Sequence, residues 1–223
     1  MLTLGIDEAG RGPLVSSMFI AGTMFEDKDL KHLKELGVKD SKMVLQNKRV
    51  ELAEDITKIA KGIKIIEVSA NEIDNAVNGV NDLNLNWLEA VKQAEIINEL
   101  KPDRAVIDCP STNVQAYTAY LKKNIDNNLR DKIELIVQHK ADQNFVECSG
   151  ASIMAKTSRE AHIEKIKKKL GIDFGSGYPS DPKTKAFIEK YHDDQRYQHL
   201  FRKSWETYKK ISRDKAQKGL GEY

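Results

Sequence analysis

Alternating and continuous runs of apolar residues along the chain predict strands separated by helices. Near the amino terminus, the apolar residues Leu2, Leu4 and Ile6 alternate with small or polar ones, which is the period-two pattern of a strand. Elsewhere apolar residues recur at helical spacing. The predicted strands are 2–7, 14–24, 63–68, 105–108 and 133–137, and the predicted helices are 44–61, 82–100, 113–124, the 140s to 170, 183–194 and 200–211. This alternation is typical of an α/β fold.

Acidic residues lie at or just after the ends of three predicted strands. Asp7 and Glu8 end the first strand, Asp108 ends the fourth, and Asp142 follows the fifth. In sheets of this kind, sites gather outside the strand ends. Adjacent acids in a continuing strand point to opposite faces, so we expect the backbone to bend here, as the glycines that follow permit. Crowded carboxylates repel one another unless a cation neutralises them.

Each acid also has a simpler interpretation. A single Asp at a strand end is usually a turn former, and Asp142 can cap the helix that follows it. Asp40 or Ser41 can cap the next helix in the same way, although a helix amino terminus with Lys42 beside it is also a ready phosphate site. The residues alone leave these alternatives open.

Composition describes an ordinary globular chain with room for one domain and an appendage. The 223 residues are 40% hydrophobic and 31% charged. We find no long apolar run and no leader pattern, so we expect no membrane span, no secretory signal and a cytoplasmic location. The two cysteines, Cys109 and Cys148, form no C-x-x-C pair, which suits a reducing compartment and predicts no zinc site. We expect Cys109 to be a core residue rather than a nucleophile.

The net charge of +2 conceals an uneven distribution. From Lys156 to Tyr223 the chain has 17 Lys and Arg against 10 Asp and Glu, a balance of +7, and the remainder carries −5. An acidic body with a basic carboxyl-terminal third suits a carboxylate site beside a groove for a polyanion. A solvated, lysine-rich helix face is the simpler alternative.

The segment Gly5–Pro13, GIDEAGRGP, closely resembles the first motif of the type 2 ribonuclease H family (ribonuclease HII) in its archaeal form. Further matches follow in the family's order, and the resemblance covers about residues 3–211. The further matches are Asp40-Ser41-Lys42, 151–156 with Arg159, the loop 175–182, and 202–205. The chain departs from the family at Ser16-Ser17 in place of Gly-Pro, Phe145-Val146 in place of Tyr-Pro, and Glu160 in place of Asp.

The resemblance implies a ribonuclease H-like α/β fold, a mixed five-stranded sheet flanked by helices with a helical carboxyl-terminal extension. We accordingly predict a catalytic domain over 1–170, a substrate-binding extension over 171–211 and a flexible tail over 212–223. The implied activity is an endonuclease that cuts the RNA strand of RNA/DNA hybrids and cuts 5′ to ribonucleotides embedded in duplex DNA. We expect a monomer.

Four acids are the implied catalytic and metal-binding residues: Asp7, Glu8, Asp108 and Asp142. Carboxylate oxygens suit Mg²⁺ or Mn²⁺ rather than zinc. Two such ions about 3.5–4 Å apart can activate a water and stabilise the leaving oxygen, which leaves 5′-phosphate and 3′-hydroxyl ends. His139 is close enough in sequence to assist, but a surface or packing role is the simpler interpretation.

The family also implies which residues contact nucleic acid. The backbone of Gly10, Arg11 and Gly12 together with the loop residue Tyr178 would sense the ribose 2′-hydroxyl, the group that separates RNA from DNA. The alternative for Tyr178 is a loop aromatic that covers the edge of the core. The other implied substrate contacts are Lys42, Lys156, Arg159, Arg202 and Lys203.

The last seven residues, 217–223, fit the pattern Q-x-x-L-x-x-aromatic. They resemble the peptide that archaeal and eukaryotic replication proteins dock on the sliding clamp. Leu220 and Tyr223 would enter an apolar pocket with Gln217 anchored beside it. Such peptides usually end in two aromatics and this chain has one, so a frayed polar terminus is the alternative.

Two rival functions stay open on sequence alone. One is a type 3 ribonuclease H, although that group lacks the Gly-Arg-Gly motif. The other is a catalytically silent module that binds hybrids. All four acids argue against it, because binding a polyanion gains nothing from clustered negative charge.

Overall fold

The computed structural model describes residues 1–38 and 46–220 of the chain. Most predicted elements are present within those residues, with shifted ends. The strands are Leu2–Ala9 (β1), Met18–Glu26 (β2), Gly62–Val68 (β3), Arg104–Asp108 (β4) and Glu134–Gln138 (β5). The helices are Leu30–Glu35 (α1), Gln46–Ile59 (α2), Ala70–Val77 (α3), Leu85–Leu100 (α4), Val114–Lys123 (α5), Asn127–Arg130 (α6), Ala141–Asn144 (α7), Val146–Leu170 (α8), Pro182–Tyr191 (α9) and Glu206–Leu220 (α10).

The five strands form one mixed sheet in the order β3-β2-β1-β4-β5, which confirms the predicted sheet. The central strand β1 pairs antiparallel with β2 and parallel with β4, and β4 pairs parallel with β5. Parallel pairing brings the carboxyl ends of β1, β4 and β5 to one edge of the sheet. We call it the acid-bearing edge, because Asp7, Glu8 and Asp108 lie there.

Two differences from the sequence prediction concern the elements that carry the acids. The expected bend at Asp7 and Glu8 is absent, because β1 continues to Ala9 and both acids pair with β2. The chain turns instead at Gly10, whose φ of 87° lies in the left-handed region that glycine adopts without strain. The single helix predicted from the 140s is two helices, because Phe145 between α7 and α8 has an extended backbone.

The chain forms two compact units, and the first contains the sheet. It comprises Met1–Ala9, Phe19–Glu67 and Leu85–Arg159. Its central strand packs tightly on α8, because a Cβ on Gly5 would overlap the backbone of Glu147. Next to this contact, the Sγ of Cys148 lies 3.2 Å from the carbonyl oxygens of Ile6 and Val106. These contacts fix β1 and β4 against the first turn of α8.

The second unit comprises Gly10–Met18, Val68–Asn84 and Glu160–Tyr223. Its core is aromatic: the ring centroid of Phe187 lies 5.3 Å from that of Phe174 and 5.6 Å from those of Tyr197 and Phe201. The last helix, α10, runs to Leu220, beyond the predicted end at 211. The predicted division of the chain at residues 170 and 211 stays a prediction. Among the described residues, no helix combines the length and apolar character needed to cross a membrane.

Candidate active site

Three acids are brought together at the acid-bearing edge. The parallel pairing of Ile6 with Ile107 places the residues that follow, Asp7 and Asp108, side by side on neighbouring strands. Asp142 lies in the first turn of α7, directly after the fifth strand. Asp7 and Asp142 are each only 5% exposed. Carboxylates from three separate elements therefore share one largely buried region of the first unit.

The pKa of Asp7 is raised from the ordinary 3.8 to about 6. Burial is the largest cause, and the charges of Asp108 and Asp142 raise the pKa further. The Ser152 hydroxyl and the Glu8 amide act in the opposite direction, and the Glu8 N–H donates to Asp7 Oδ1 over 2.8 Å. Perturbed carboxyl groups of this kind concentrate at functional sites.

Asp108 also fixes the start of the helix that carries Asp142. Its Oδ1 accepts a hydrogen bond of 2.9 Å from the Ala141 N–H. The residue that caps α7 is Lys140, with a left-handed φ of 57°, so the interpretation of Asp142 as the helix cap is wrong. Asp142 is consequently held inside the helix, close to the other two acids.

The surroundings of Cys109 connect Glu8 to the same edge. Burial raises the pKa of this thiol, and the charges of Asp108 and Glu8 raise it further. A buried thiol that resists ionisation is a core residue, as predicted, rather than a nucleophile. The exposed His139 places its Nδ1 3.0 Å from the Cys109 carbonyl oxygen, which is a structural contact.

The donors at this edge fit a hard divalent cation by their chemistry. They are carboxylate oxygens, which magnesium and manganese prefer. Across residues 1–38 and 46–220, no group of three or more Asp, Glu, His or Cys side chains is already arranged to hold a metal ion. Burial, and after it the charges of Asp108 and Asp142, raise the pKa of Asp7, and a bound cation would offset this cost of ionising the carboxyl group.

Without metal, the raised pKa of Asp7 predicts that stability falls as pH rises. Because the folded value lies above the unfolded one, the contribution of Asp7 to stability is complete below pH 3.8 and lost as pH rises through about 6. Asp7→Asn cannot ionise, so between pH 4 and 8 in EDTA it should gain on the order of 3 kcal/mol over the natural chain. Thermal melting of both proteins across this range measures the difference.

Two controls sharpen that experiment. Asp131→Asn changes an exposed aspartate at the end of α6 and should melt like the natural chain at every pH. Magnesium at pH 8 should raise the melting temperature of the natural chain more than that of Asp7→Asn. A stability difference that does not change with pH would contradict the prediction.

The Gly-Arg-Gly segment and the Tyr178 loop are joined within the second unit. The carbonyl oxygen of Gly177 accepts hydrogen bonds from the N–H groups of Leu14 at 2.7 Å and Val15 at 3.3 Å. A Cβ on Gly12 would lie 3.8 Å from Cε1 of Tyr178, so the ring packs beside the glycine. Tyr178 is 37% exposed, which leaves its ring accessible and disfavours a role that only covers the core.

Side chains of the following segment hold this loop. The buried Thr184 hydroxyl accepts from the Gly177 N–H at 3.0 Å and donates to the Phe174 carbonyl at 2.9 Å. Asp181, the cap of α9, accepts from the Ser176 N–H at 2.7 Å. The residues just before Tyr178 are therefore tied to the start of α9.

Arg202 has a different environment from that expected of a substrate contact. It is fully buried, and its guanidinium donates to the carbonyl oxygens of Ser16, Arg11 and Gly10 over 2.9, 2.8 and 2.7 Å. Its partners are thus the backbone of the Gly-Arg-Gly segment and of the residues just after it. Direct contact with substrate stays a prediction for this residue.

The other predicted contacts lie at separate places. Lys156 and Arg159 are three positions apart on α8, the first half-buried and the second 8% exposed. Lys203 is exposed. Lys42, with the proposed caps Asp40 and Ser41, lies outside the described residues, as does Tyr223. Gln217 and Leu220 lie within the backbone of α10.

Sequence reasoning missed Asp74, on the unpredicted helix α3. Its Oδ2 accepts from the Lys203 N–H at 2.7 Å, and its Oδ1 accepts from the Ser204 N–H at 2.9 Å and from the Ser204 hydroxyl. A signal for the helix was available, because Ser69 and Glu72 form a capping box of the S-x-x-E type. Nothing local in the sequence indicates a contact between residues 129 positions apart.

Comparison with known proteins agrees with the fold and the motifs. The family model for ribonuclease HII matches residues 4–208. Ribonuclease HII of Pyrococcus furiosus is 41% identical over 208 residues, 93% of this chain and 89% of the relative. The ribonuclease H2 structure from Pyrococcus horikoshii OT3 is 33% identical with a TM-score of 0.85, over 97% of this chain and 100% of that one.

Two further structures extend the comparison. RNase HII in the PCNA:RNase HII complex from Archaeoglobus fulgidus is 34% identical with a TM-score of 0.81, over 94% of this chain and 96% of that one. Bst-RNase HIII in complex with Mn²⁺ is 17% identical with a TM-score of 0.77, over 97% and 71%, and shows similarity of fold alone. The family match and the archaeal relatives favour type 2 over type 3. This chain therefore belongs to the ribonuclease HII family.

Proposed function

We propose that this chain is an endoribonuclease that hydrolyses the RNA strand of RNA/DNA hybrids and cuts 5′ to ribonucleotides embedded in duplex DNA. The observation that carries the proposal is the group of carboxylates that β1, β4 and α7 bring together, where burial, and after it the charges of Asp108 and Asp142, raise the pKa of Asp7. Membership of the ribonuclease HII family supports it. We expect the chain to act as a cytoplasmic monomer in DNA replication and repair.

Asp7, Glu8, Asp108 and Asp142 are the residues that would hold two divalent ions, Mg²⁺ or Mn²⁺. When bound, such ions activate a water and stabilise the charge on the leaving oxygen of a phosphodiester. The similar fold of Bst-RNase HIII was solved with Mn²⁺, which agrees with this choice of metal. The chain itself supplies orientation: the Glu8 and Ala141 amides hold the carboxylates of Asp7 and Asp108.

Cleavage of two labelled substrates tests this function. One is a continuous RNA/DNA hybrid, and the other is a DNA duplex with a single ribonucleotide. We expect magnesium-dependent cutting of both, with 5′-phosphate and 3′-hydroxyl ends, and no cutting of the all-DNA duplex. Tight binding of the hybrid without cleavage in magnesium or manganese would favour the silent binding module instead.

We further propose that Tyr178 and the Gly-Arg-Gly backbone recognise the ribose. The exposed ring of Tyr178, packed beside Gly12, supports this role. A flat phenol can stack on a sugar, and its hydroxyl can bond the 2′-oxygen. A site built around that bond can reject deoxyribose by roughly 10⁴-fold.

Tyr178→Ala should weaken cutting at a single ribonucleotide by about tenfold or more, with a smaller loss on a continuous hybrid. The reason is that an isolated ribose offers one 2′-hydroxyl in one register, whereas a hybrid offers many. Values of kcat/KM on the two substrates measure the effect. Tyr178→Phe is the matched variant that removes the hydroxyl and keeps the ring. Equal losses on both substrates would refute the assignment.

We also propose that the carboxyl terminus binds the sliding clamp through Gln217, Leu220 and Tyr223. The RNase HII from Archaeoglobus fulgidus, 34% identical, was solved in a complex with PCNA, which supports this partner. Gln217 and Leu220 are three positions apart in the helical backbone of α10, so the two positions share one face.

Truncation after Lys215 should remove most of the clamp affinity. We expect a dissociation constant of about 1 μM or weaker for the full chain, because the anchors are few. Calorimetric titration of the clamp from the same organism against both proteins measures the change. Leu220→Ala should behave like the truncation, and Lys218→Ala, which changes no predicted anchor, should bind normally. Identical curves for the full and truncated chains would eliminate the tether.

A further inference from the structure

We propose that Arg202 is a positioning residue for ribose recognition and that Asp74 holds it in place. The inference rests on the proposed function, since it concerns how the Gly-Arg-Gly backbone is aimed. It gives Arg202 a role through the backbone, in place of a direct contact with nucleic acid. It also gives a role to Asp74, to which the motifs assign none.

Arg202 serves three backbone acceptors at once. Its Nε bonds the Ser16 carbonyl, its Nη1 the Arg11 carbonyl and its Nη2 the Gly10 carbonyl, at 2.9, 2.8 and 2.7 Å. The side chain is completely buried, and its guanidinium carbon lies 5.5 Å from the ring centroid of Trp205. The planar fork of arginine can satisfy this fixed set of acceptors, and the single ammonium of lysine cannot reproduce it.

The hydrogen bonds to Arg202 also determine where the N–H groups of the Gly-Arg-Gly segment point. A trans peptide unit is planar, so its N–H points away from its C=O. The Gly10 carbonyl shares a peptide unit with the Arg11 N–H, and the Arg11 carbonyl shares one with the Gly12 N–H. Because Arg202 draws both carbonyls towards itself, the two N–H groups are directed to the opposite side. Arg202 thus aims the donors that would meet a 2′-oxygen.

Asp74 fixes the position of the backbone that carries Arg202. Its carboxylate accepts from the backbone N–H of Lys203 at 2.7 Å and from that of Ser204 at 2.9 Å, directly after the arginine. On the other side, the Arg202 N–H donates to the Leu14 carbonyl at 2.9 Å. The arginine backbone is therefore held between α3 and the segment that its side chain orders.

Substrate selectivity distinguishes a residue that positions the ribose-sensing donors from one that only stabilises the fold. A merely structural residue would lower activity on all substrates alike when it is changed. A residue that aims the ribose-sensing donors should matter most where one ribose must be found in one register. The informative readout is therefore the ratio of kcat/KM on a single-ribonucleotide duplex to kcat/KM on a continuous hybrid.

Three variants make the test. Arg202→Lys keeps the charge and loses the fork, and Asp74→Asn replaces one acceptor by a donor facing the Lys203 N–H or the Ser204 N–H. Arg196→Lys is the control, because Arg196 is exposed and its side chain pairs with Asp194. We expect Arg202→Lys to lower the ratio by about tenfold or more, Asp74→Asn to lower it in the same direction, and Arg196→Lys to leave it unchanged.

The outcomes decide between the parts of the proposal. An unchanged ratio in folded Arg202→Lys overturns it, and if that variant does not fold, an unchanged ratio in Asp74→Asn overturns it. If Arg202→Lys lowers the ratio and Asp74→Asn leaves it unchanged, Asp74 does not hold Arg202 in place. Failure of the natural chain to cut either substrate would overturn the proposed function itself. That result differs from one in which all the variants are active and share the same substrate ratio, which overturns only the role of Arg202.

Discussion

Asp108→Asn is expected to abolish magnesium-dependent cleavage and to leave hybrid binding nearly intact. Asparagine keeps the shape of the side chain, and its oxygen can still accept the hydrogen bond from the Ala141 N–H. It removes the charge through which the acid-bearing edge would hold a cation. Loss of that electrostatic stabilisation should slow turnover by about a thousandfold or more. Single-turnover cleavage of a labelled hybrid measures the rate, and anisotropy measures binding.

The matched control is Asp131→Asn, the same chemical change at an exposed helix end in the same unit. It should cut at the natural rate. Wild-type turnover by Asp108→Asn in magnesium would remove this acid from the site. Loss of binding in parallel with turnover would instead indicate that the carboxylate supports the fold of the edge.

Gly5→Ala should destabilise the first unit by about 3 kcal/mol or more. The added methyl would overlap the backbone of Glu147 and Cys148, and backbone cannot rotate away as a side chain can. Gly5 and Asp7 are two positions apart and share a face of β1, so separation of β1 from α8 should also displace Asp7. Chemical denaturation measures the stability, and cleavage of the hybrid should fall with it.

Gly150→Ala is the control at another glycine of the same unit, where α8 faces β2. A Cβ there would meet Thr23 Oγ1 at 3.4 Å and Phe25 Cζ at 3.5 Å, which is ordinary packing. Alanine is also favoured over glycine inside a helix, so this variant should be as stable as the natural chain or slightly more stable. If Gly5→Ala were equally stable, the close approach of β1 to α8 would be refuted.

The acid-bearing strands were predictable because their signal is local. Each of these short apolar runs predicts a buried strand and ends in an acid, Asp7 or Asp108. An acid at the end of a buried strand indicates a site. The mixed sheet followed from the same alternation of elements. The expected bend at Asp7 and Glu8 is absent because strand pairing overrides it: the two acids lie opposite Ala21 and Ile20 of β2, and β1 continues through them.

The second unit was less predictable because its key contacts span the chain. Arg202 lies in a basic segment and matches a family motif, so a surface contact was the natural expectation. Its three partners are 186 to 192 positions away in sequence, and they are carbonyl groups that every residue carries. Asp74 likewise binds backbone amides, which leave no signature in side-chain patterns. Helix α3 alone had a readable signal, the capping box at Ser69.

The burial of both cysteines has a practical consequence for experiments on this chain. The Sγ of Cys148, in the first turn of α8, lies against the carbonyl oxygens of Ile6 and Val106, and burial raises the pKa of this thiol well above the ordinary value. Cys109 is 5% exposed with its pKa also raised by burial. Since only thiolate attacks a labelling reagent, neither sulfur should react while the sheet is closed. The rate of thiol labelling therefore measures how often β1 and β4 separate from α8.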